Sequence, residues 1–171
     1  MCGIFGFVKN KNSNISDFET LESINKLFIF SQTRGSEAAG IAINTGKSID
    51  IYKKAGSPKE FIKSPEYKNL FKNSTKTYNK NINSKTLSII GHSRLVTNGY
   101  QSENQNNQPV VTPACVGVHN GIITNHAQLW NENKHLIKET DLDTEIFLKI
   151  LKDKIDNGIN LKKSLIEIYS Q

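Results

Sequence analysis

The chain has 171 residues, of which 36% are hydrophobic and 22% charged, as expected for one globular domain with its own core. Its net charge is +6, but only two of the 22 basic residues are arginine, so we expect no nucleic-acid partner. No stretch approaches the ~20 apolar residues of a membrane helix, and the start lacks a signal-peptide pattern. Two cysteines make no disulfide framework, so we expect a cytoplasmic protein without membrane association.

The first half of the chain alternates strand and helix signals. G-I-F-G-F-V predicts a short buried strand at the N-terminus. Ser16 and Glu19 have the spacing of a capping box, and the apolar residues after them predict a helix from about Asp17 to about Thr33. A-G-I-A-I-N and S-I-D-I-Y-K predict two strands joined around Thr45 and Gly46.

The second half begins with residues 57–85, whose lysine- and asparagine-rich composition predicts short helical turns in a surface excursion. T-L-S-I-I-G-H and C-V-G-V-H-N predict strands on either side of a polar loop. Helices are predicted over His126–Glu132, Thr144–Asn157 and Leu161–Ser170. This mixed order, without a glycine-rich turn, differs from a dinucleotide-binding fold, and we expect no cofactor.

Cys2 stands directly after the initiator methionine. Taken alone, such a cysteine is most simply a small buried apolar residue. Removal of Met1, which a small second residue permits, would give Cys2 a free α-amine with a pKa of about 7.7–8.0. That amine could act as general base for the adjacent thiol, so the position also predicts an N-terminal nucleophile.

An acyl-transfer nucleophile needs donors for the oxyanion that forms during attack. Asn120 and Gly121, in H-N-G, offer a side-chain amide and a backbone N–H. A simple turn at N-G is the alternative.

Two charged residues, Arg94 and Asp143, are candidates for substrate binding, and a third, Arg34, is a candidate for a structural role. Arg94 follows a strong strand and could hold a carboxylate through two hydrogen bonds, or could form a surface ion pair. Asp143 precedes a helix, where it could cap the helix or bind an amine. Arg34 lies near the end of the first predicted helix, where a structural role at the helix dipole is favoured.

A metal site is the competing interpretation of the histidines. Cys115, His119, His126 and His92 have no spacing typical of a metal motif, and the first two fall on a predicted buried strand. We therefore expect no metal. A papain-like Cys–His pair is possible in principle, but the residues around Cys2 lack that signature.

Five motifs then stand in order along the chain: M-C-G-I-F-G, R-G-S-E-A-A-G-I-A, G-H-S-R-L-V-T-N-G, V-H-N-G-I-I-T-N and D-T-E. Together they resemble the glutaminase domain of the class II glutamine amidotransferases. H-N-G-I-I-T-N is most similar to glucosamine-fructose-6-phosphate aminotransferase, whereas R-G-S-E-A-A-G and N-Q-P favour the amidophosphoribosyltransferases. The resemblance implies an α+β N-terminal-nucleophile hydrolase fold, with four αββα layers and stacked antiparallel sheets.

The resemblance implies roles at the reacting amide. Cys2, once processed, would attack the side-chain amide carbon of glutamine, and its α-amine would transfer the proton. Asn120 and Gly121 would hold the oxyanion. Arg34 resembles the family arginine that orders the nucleophile region.

The resemblance also implies a site for the α-amino acid end of the substrate. Arg94, with Thr97, would bind the α-carboxylate of glutamine. Asp143, with Gly99, would bind the α-amine. Leu95 stands where the sugar-type enzymes have a tryptophan that gates ammonia transfer.

The implied reaction releases glutamate and passes ammonia to an acceptor domain or subunit. We expect residues 1–171 to be one glutamine amidotransferase domain with no acceptor domain in the chain. It is either truncated within its sheets or an unusually small stand-alone domain. Two alternatives remain: a non-catalytic glutamine-binding module, and an N-terminal-nucleophile hydrolase acting on another amide.

Overall fold

The computed structural model describes residues 2–95, 102–113 and 115–170. Its main sheet is antiparallel, with strand order β1-β4-β2-β3, formed by β1 (Gly3–Asn10), β2 (Ala38–Asn44), β3 (Ile49–Ala55) and β4 (Thr86–Arg94). The predicted hairpin of β2 and β3 is present. Gly3 pairs with Ser93 and Ala38 pairs with Arg94, so the start of β1, the start of β2 and the end of β4 meet at one end of the sheet.

The N-terminal strand is longer and more exposed than its sequence predicts. Ile4 and Val8 are 49% and 68% exposed, while Phe5 and Phe7 pack on the main core. The strand lies at the edge of the sheet and carries apolar residues on both faces, which makes its sequence look buried on both sides.

Three helices cover one face of the sheet: α1 (Asp17–Ser31), α2 (Pro58–Phe61) and α3 (Pro65–Lys80). The predicted capping box of α1 is present, with Ser16 and Glu19 bonded to each other's backbone N–H groups. The core between these helices and the sheet is largely aromatic and branched aliphatic, and includes Ile24, Phe28, Ile41, Ile43, Phe61, Tyr67, Phe71, Tyr78, Leu87 and Ile89.

The prediction of a surface excursion over residues 57–85 is wrong for α3. This helix has 16 residues, and Tyr67, Phe71 and Tyr78 along it are buried. Lysines and asparagines fill its outer face and hide the sparse apolar period. Pro58 and Pro65, which suggest irregular backbone, occupy first-turn positions, where proline is well tolerated.

A second layer pair lies on the other side of the main sheet. The short strands β5 (Val110–Val111) and β6 (Val116–Gly117) pair with each other. Helices α4 (His126–Glu132), α5 (Thr144–Asp156) and α6 (Leu161–Tyr169) surround a smaller core with Leu129, Ile146, Ile150, Leu151 and Ile168. The layers therefore follow the order helices, sheet, sheet, helices. None of the described helices is long and apolar enough to cross a membrane.

The predicted strand over C-V-G-V-H-N is shorter in the structure, because β6 ends at Gly117. Beyond it, the backbone of His119 is held by a side chain instead of a strand. The N–H of His119 donates to Gln108 Oε1 at 2.6 Å, and Gln108 Nε2 donates to the His119 carbonyl at 3.1 Å. A polar clamp thus fixes the segment that leads to Asn120.

Candidate active site

Cys2 lies at the end of the sheet where β1 begins and β4 ends. The N–H of Leu95 donates to Cys2 Sγ at 3.4 Å, and the thiol lies 3.5 Å from the Leu95 carbonyl oxygen. Both contacts come from the backbone of Leu95, which follows β4 directly. The pairing of Gly3 with Ser93 therefore places the sulfur against the next residues of the neighbouring strand.

Arg34 holds the backbone next to this sulfur. Its Nε donates to the Cys2 carbonyl at 3.1 Å. Helix α1 ends at Ser31 with Gln32 as its C-cap, so Arg34 lies beyond the helix and contacts the nucleophile segment. The contact that the structure gives Arg34 is thus to the nucleophile segment, beyond the C-cap of α1.

Two glycines allow this close approach of chain segments. A Cβ on Gly3 would lie 2.7 Å from the Ser31 side chain, and one on Gly35 would lie 2.5 Å from the Arg94 carbonyl carbon. Ser31 and Ser93 also share a buried hydroxyl hydrogen bond of 2.5 Å. The glycines of M-C-G and R-G are thus needed for packing around Cys2.

An open cavity of about 410 Å³ includes in its lining Arg34 and Leu95, the two residues that contact Cys2; the other lining residues are Gln32, Thr33, Gly35 and Ser36. It is formed by the turn after α1 and the residue after β4. Its volume is in the range of small-molecule sites.

Arg94 is 3% exposed, which excludes the alternative of a surface ion pair. Its Nη1 donates to the Asn106 carbonyl at 2.5 Å and to Asn107 Oδ1 at 2.8 Å. Burial lowers the pKa of the guanidinium, while electrostatic interactions with Cys2 and Glu37 act in the opposite direction. Arginine nevertheless stays protonated in proteins, so a buried positive charge faces the nucleophile segment.

The partners of Arg94 belong to residues 103–109, which we call the amide-rich segment. Asn106 and Asn107 in it are fully buried. Lys53 on β3 donates to the carbonyls of Asn107 and Pro109 at 2.7 and 3.2 Å, and burial lowers the pKa of this lysine. This loop is therefore fixed to the main sheet although it has little regular structure.

The same buried end of the sheet contains His92, which is 1% exposed. Neither ring nitrogen has a hydrogen-bond partner among the described residues. Burial is the main cause that lowers the pKa of His92 to about 4, and the charge of Arg94 adds to it. His92 is therefore neutral at pH 7.

Asn120 and Gly121 lie after the clamp formed by Gln108 and His119. Asn120 is partly exposed and Gly121 is exposed. A Cβ on Gly121 would lie 2.6 Å from His119 Nε2, so a larger residue here would require the imidazole to shift. The other ring nitrogen of His119 is 3.1 Å from Thr144 Oγ1.

Asp143 occupies the N-cap position of α5 but makes no side-chain cap hydrogen bond. Its Oδ2 accepts from the Ile123 N–H at 2.6 Å, and its Oδ1 accepts from Thr144 Oγ1 at 3.2 Å. The carboxylate thus joins the start of α5 to the segment that follows Asn120 and Gly121.

Glu145 completes the D-T-E motif from inside the protein, where it is 1% exposed. Its carboxylate accepts from the backbone N–H groups of Glu139 and Thr140 at 2.9 and 2.7 Å and pairs with Lys149 at 3.0 Å. Burial raises the pKa of Glu145, but hydrogen bonds from Lys149, Thr140 and Glu139 more than offset this and hold it below its usual value. The loop before Asp143 is therefore anchored by a buried charge.

The candidate residues form two groups. Cys2, Arg34 and Arg94 lie together at the end of the main sheet. Asn120, Gly121 and Asp143 lie together near the start of α5.

Hydrogen bonds of the amide-rich segment join the two groups, through Asn106 and Gln108. Over residues 2–95, 102–113 and 115–170, the hydrogen bonds of Cys2 reach Leu95 and Arg34 rather than Asn120 or Gly121. Thr97 and Gly99 lie outside the described residues.

Four residues with organising contacts are given no role in the sequence analysis: Asn106, Gln108, and Thr144 and Glu145 of the D-T-E motif. For the first two the available signal is the run N-Q-N-N-Q, because amides carry both donors and acceptors and can crosslink irregular segments. In the described part of the chain, no group of three or more His, Cys, Asp or Glu side chains could hold a metal ion.

Comparison with known proteins identifies homologues along nearly the whole chain. No family model matches. The amidophosphoribosyltransferase of Methanocaldococcus jannaschii is 32% identical over 99% of this chain and 35% of its own length. The glutamine–fructose-6-phosphate aminotransferase (isomerizing) of Chlamydia pneumoniae is 32% identical over all of this chain and 25% of its own. That of Thermococcus kodakarensis is 28% identical over 96% and 24%. The chain thus spans about a third or less of these relatives.

Two solved structures share the fold. The allosteric regulatory enzyme of purine biosynthesis superposes with a TM-score of 0.66, and the Bacillus subtilis glutamine phosphoribosylpyrophosphate amidotransferase, complexed with ADP and GMP, with 0.62. Each is 24% identical and covers 98% of this chain and 32% of its own. The predicted α+β N-terminal-nucleophile hydrolase fold with antiparallel sheets is therefore confirmed. The chain is a homologue of the class II glutamine amidotransferases, over a region that makes up a quarter to a third of those proteins.

Proposed function

We propose that residues 1–171 form a glutaminase domain that hydrolyses L-glutamine through Cys2. One observation carries this proposal: the sulfur of Cys2 and its carbonyl are held at the end of the sheet by Leu95 and Arg34. A cysteine that merely fills a core needs neither contact, and Cys2 is partly exposed and contacts two residues that line an open cavity. Homology to the class II amidotransferases supports the same function.

In the proposed reaction, loss of Met1 frees the α-amine of Cys2, which takes the thiol proton. The sulfur attacks the side-chain amide carbon of glutamine. Donors at Asn120 and Gly121 hold the oxygen as it gains negative charge. The nitrogen takes the proton and leaves as ammonia, and water then cleaves the γ-glutamyl thioester to release glutamate and restore the thiol.

The α-carboxylate and α-amine of glutamine select it over simple amides. We assign the carboxylate to Arg94 with Thr97, and the amine to Asp143 with Gly99. Charge supports this assignment, since Arg94 brings a buried positive charge to the end of the sheet and Asp143 a carboxylate beside the H-N-G turn. The same pair argues against amide substrates that lack an α-amino acid end.

We further propose that ammonia passes to an acceptor domain or subunit of the phosphosugar type, which H-N-G-I-I-T-N favours. The alternative acceptor is of the phosphoribosyl type, favoured by R-G-S-E-A-A-G and N-Q-P and by the M. jannaschii relative. Adding a phosphosugar or a phosphoribosyl acceptor domain to the chain, with glutamine, and measuring the aminated product separates the two.

The central experiment measures glutamate released from glutamine by the wild-type chain and by Cys2→Ala. Cys115→Ala is the matched control, because Cys115 is equally a partly buried free cysteine but lies outside the site. We expect release by the wild type and Cys115→Ala, and none above background by Cys2→Ala. Equal rates for the wild type and Cys2→Ala would refute the proposal.

Two further measurements separate the alternatives. The intact mass should show loss of Met1, and a retained methionine would leave Cys2 without a free amine. Glutamine binding by calorimetry without glutamate release would instead identify a non-catalytic glutamine-binding module.

A further inference from the structure

Asn106 makes contacts in three directions although it lies in a short 3₁₀ turn, Asn104–Asn106. It is fully buried. Its carbonyl accepts from Arg94 Nη1 at 2.5 Å. Its side-chain oxygen accepts from the Asp141 N–H at 3.0 Å, and its side-chain nitrogen donates to Glu103 Oε2 at 3.0 Å and Asp141 Oδ2 at 3.3 Å.

Asp141 lies two residues before Asp143, in a segment that is hydrogen-bonded on both sides. Glu145 binds the N–H groups of Glu139 and Thr140 on one side. Asp143 itself is bonded to the Ile123 N–H on the other. A displacement of Asp141 therefore passes directly to Asp143.

We infer that Asn106 is a positioning residue that sets the separation between Arg94 and Asp143, and thereby the preference for substrates carrying both an α-carboxylate and an α-amine. This inference rests on the proposed function. Arg94 and Asp143 lie on different layers of the protein, and Asn106 is one residue bonded to the first and to the segment of the second. An amide suits this position because it accepts from a backbone N–H and donates to two carboxylates at once.

The test variant is Asn106→Asp. It keeps the size and the oxygen that accepts from the Asp141 N–H, but places a carboxylate oxygen against those of Glu103 and Asp141. Like charges in a buried site repel each other and should push the 139–143 segment away. Asp141→Asn in the same chain restores a donor at the contact and is the rescue variant.

The measurement is the ratio of kcat/KM for glutamine to that for glutaramate, which lacks the α-amine. A residue that sets the distance between two subsites matters for glutamine and little for glutaramate. We expect Asn106→Asp to lower this ratio about ten- to hundredfold, as small misplacements of a bound substrate do. Asn106→Asp with Asp141→Asn should return it to within about threefold of the wild type. If Asn106 had a purely structural role, the substitution would reduce kcat/KM for both substrates by the same factor.

The outcomes are distinguishable from failure of the proposed function. If the wild type and Cys2→Ala release glutamate equally, the function fails. If the wild type is active and a folded Asn106→Asp keeps the wild-type ratio, the inference on Asn106 is overturned while the function stands. Should Asn106→Asp not fold, Asn106→Ser serves instead, because it removes the amide donor without adding charge, and the same fall in the ratio is expected. If the wild type binds glutamine without turnover, the ratio of the two dissociation constants is the readout.

Discussion

Replacing Glu145 by glutamine tests how firmly the loop before Asp143 is anchored. The substitution keeps the shape of the side chain but removes its charge and turns one acceptor oxygen into a donor. That donor must then face either Thr140, whose N–H and hydroxyl both donate to Oε2, or the Glu139 N–H together with Lys149. One backbone N–H is left without an acceptor in either case.

The expected cost follows from the hydrogen bonds that the substitution removes. A buried donor left unpaired costs about 1–3 kcal/mol, and hydrogen bonds to charged groups contribute about 1.5–3 kcal/mol each. Glutamine retains about half of these hydrogen bonds, so the free energy of unfolding should fall by about 3 kcal/mol. For a domain of this size, this corresponds to a decrease of about 6–12 °C in melting temperature.

The assay is thermal and urea unfolding at pH 7, with Glu139→Gln as matched control. Glu139 Oε2 contacts the same Lys149 at 3.4 Å but is 60% exposed, so its loss should cost at most about 1 kcal/mol. The pKa of Glu145 is held below its usual value, so its stabilisation is present at neutral pH and lost as the pH falls through the folded-state value. The difference between wild type and Glu145→Gln should therefore narrow below a pH of about 4.3. Equal effects of the two substitutions at pH 7 would refute the buried-anchor argument.

Three further predictions concern the end of the sheet. Because the pKa of His92 is about 4 when folded and about 6.5 when unfolded, urea unfolding should show stability falling by about 3 kcal/mol as the pH drops from 6.5 to 4. His92→Asn should flatten this dependence, whereas the same change at His135, which is 59% exposed, should leave it as steep. Gly40→Ala would force a Cβ into the Gln108 carbonyl oxygen and should lower the free energy of unfolding by about 1–3 kcal/mol or more. Gly6→Ala is the control, because its nearest neighbour lies at 3.9 Å and its melting temperature should stay close to that of the wild type. Similar melting temperatures for the two variants would contradict the packing argument. Arg34→Lys lacks the Nε–H that holds the Cys2 carbonyl and should slow glutamate release about tenfold at an unchanged melting temperature, so an unchanged rate would show that this contact does not position Cys2.

The parts of the fold that sequence reasoning predicts well are those with local signals. The capping box at Ser16 gives the start of α1, and apolar periodicity with Gly158 gives the end of α5. The prediction for α3 is wrong because lysines and asparagines separate its buried residues. The polar composition of the segment therefore obscures the helical spacing of its apolar residues. The predicted end of β6 is wrong because the Gln108 side chain, rather than a neighbouring strand, forms the hydrogen bonds of the His119 backbone.

The candidate site likewise contains residues that local motifs predict and residues that they do not. Cys2, Arg94 and Asp143 are distinctive as residue types in their local motifs, so they stand out as candidates. Their partners do not, because Asn106 acts through a contact to Asp141, 35 residues along the chain. Such contacts depend on where irregular segments pack against the core. An amide-rich loop has no hydrophobic periodicity from which these packing positions could be predicted.

The last two residues of β4 and the residue after it contact three different parts of the protein. Ser93 bonds to α1, Arg94 to the amide-rich segment, and Leu95 to Cys2 through its main chain alone. The contact to the sulfur therefore does not depend on the side chain at position 95. An insertion or deletion would break these contacts, because a shift of one residue would turn the side chains of all three residues to the opposite face. The contacts of residues 93–95 thus depend on their spacing along the chain.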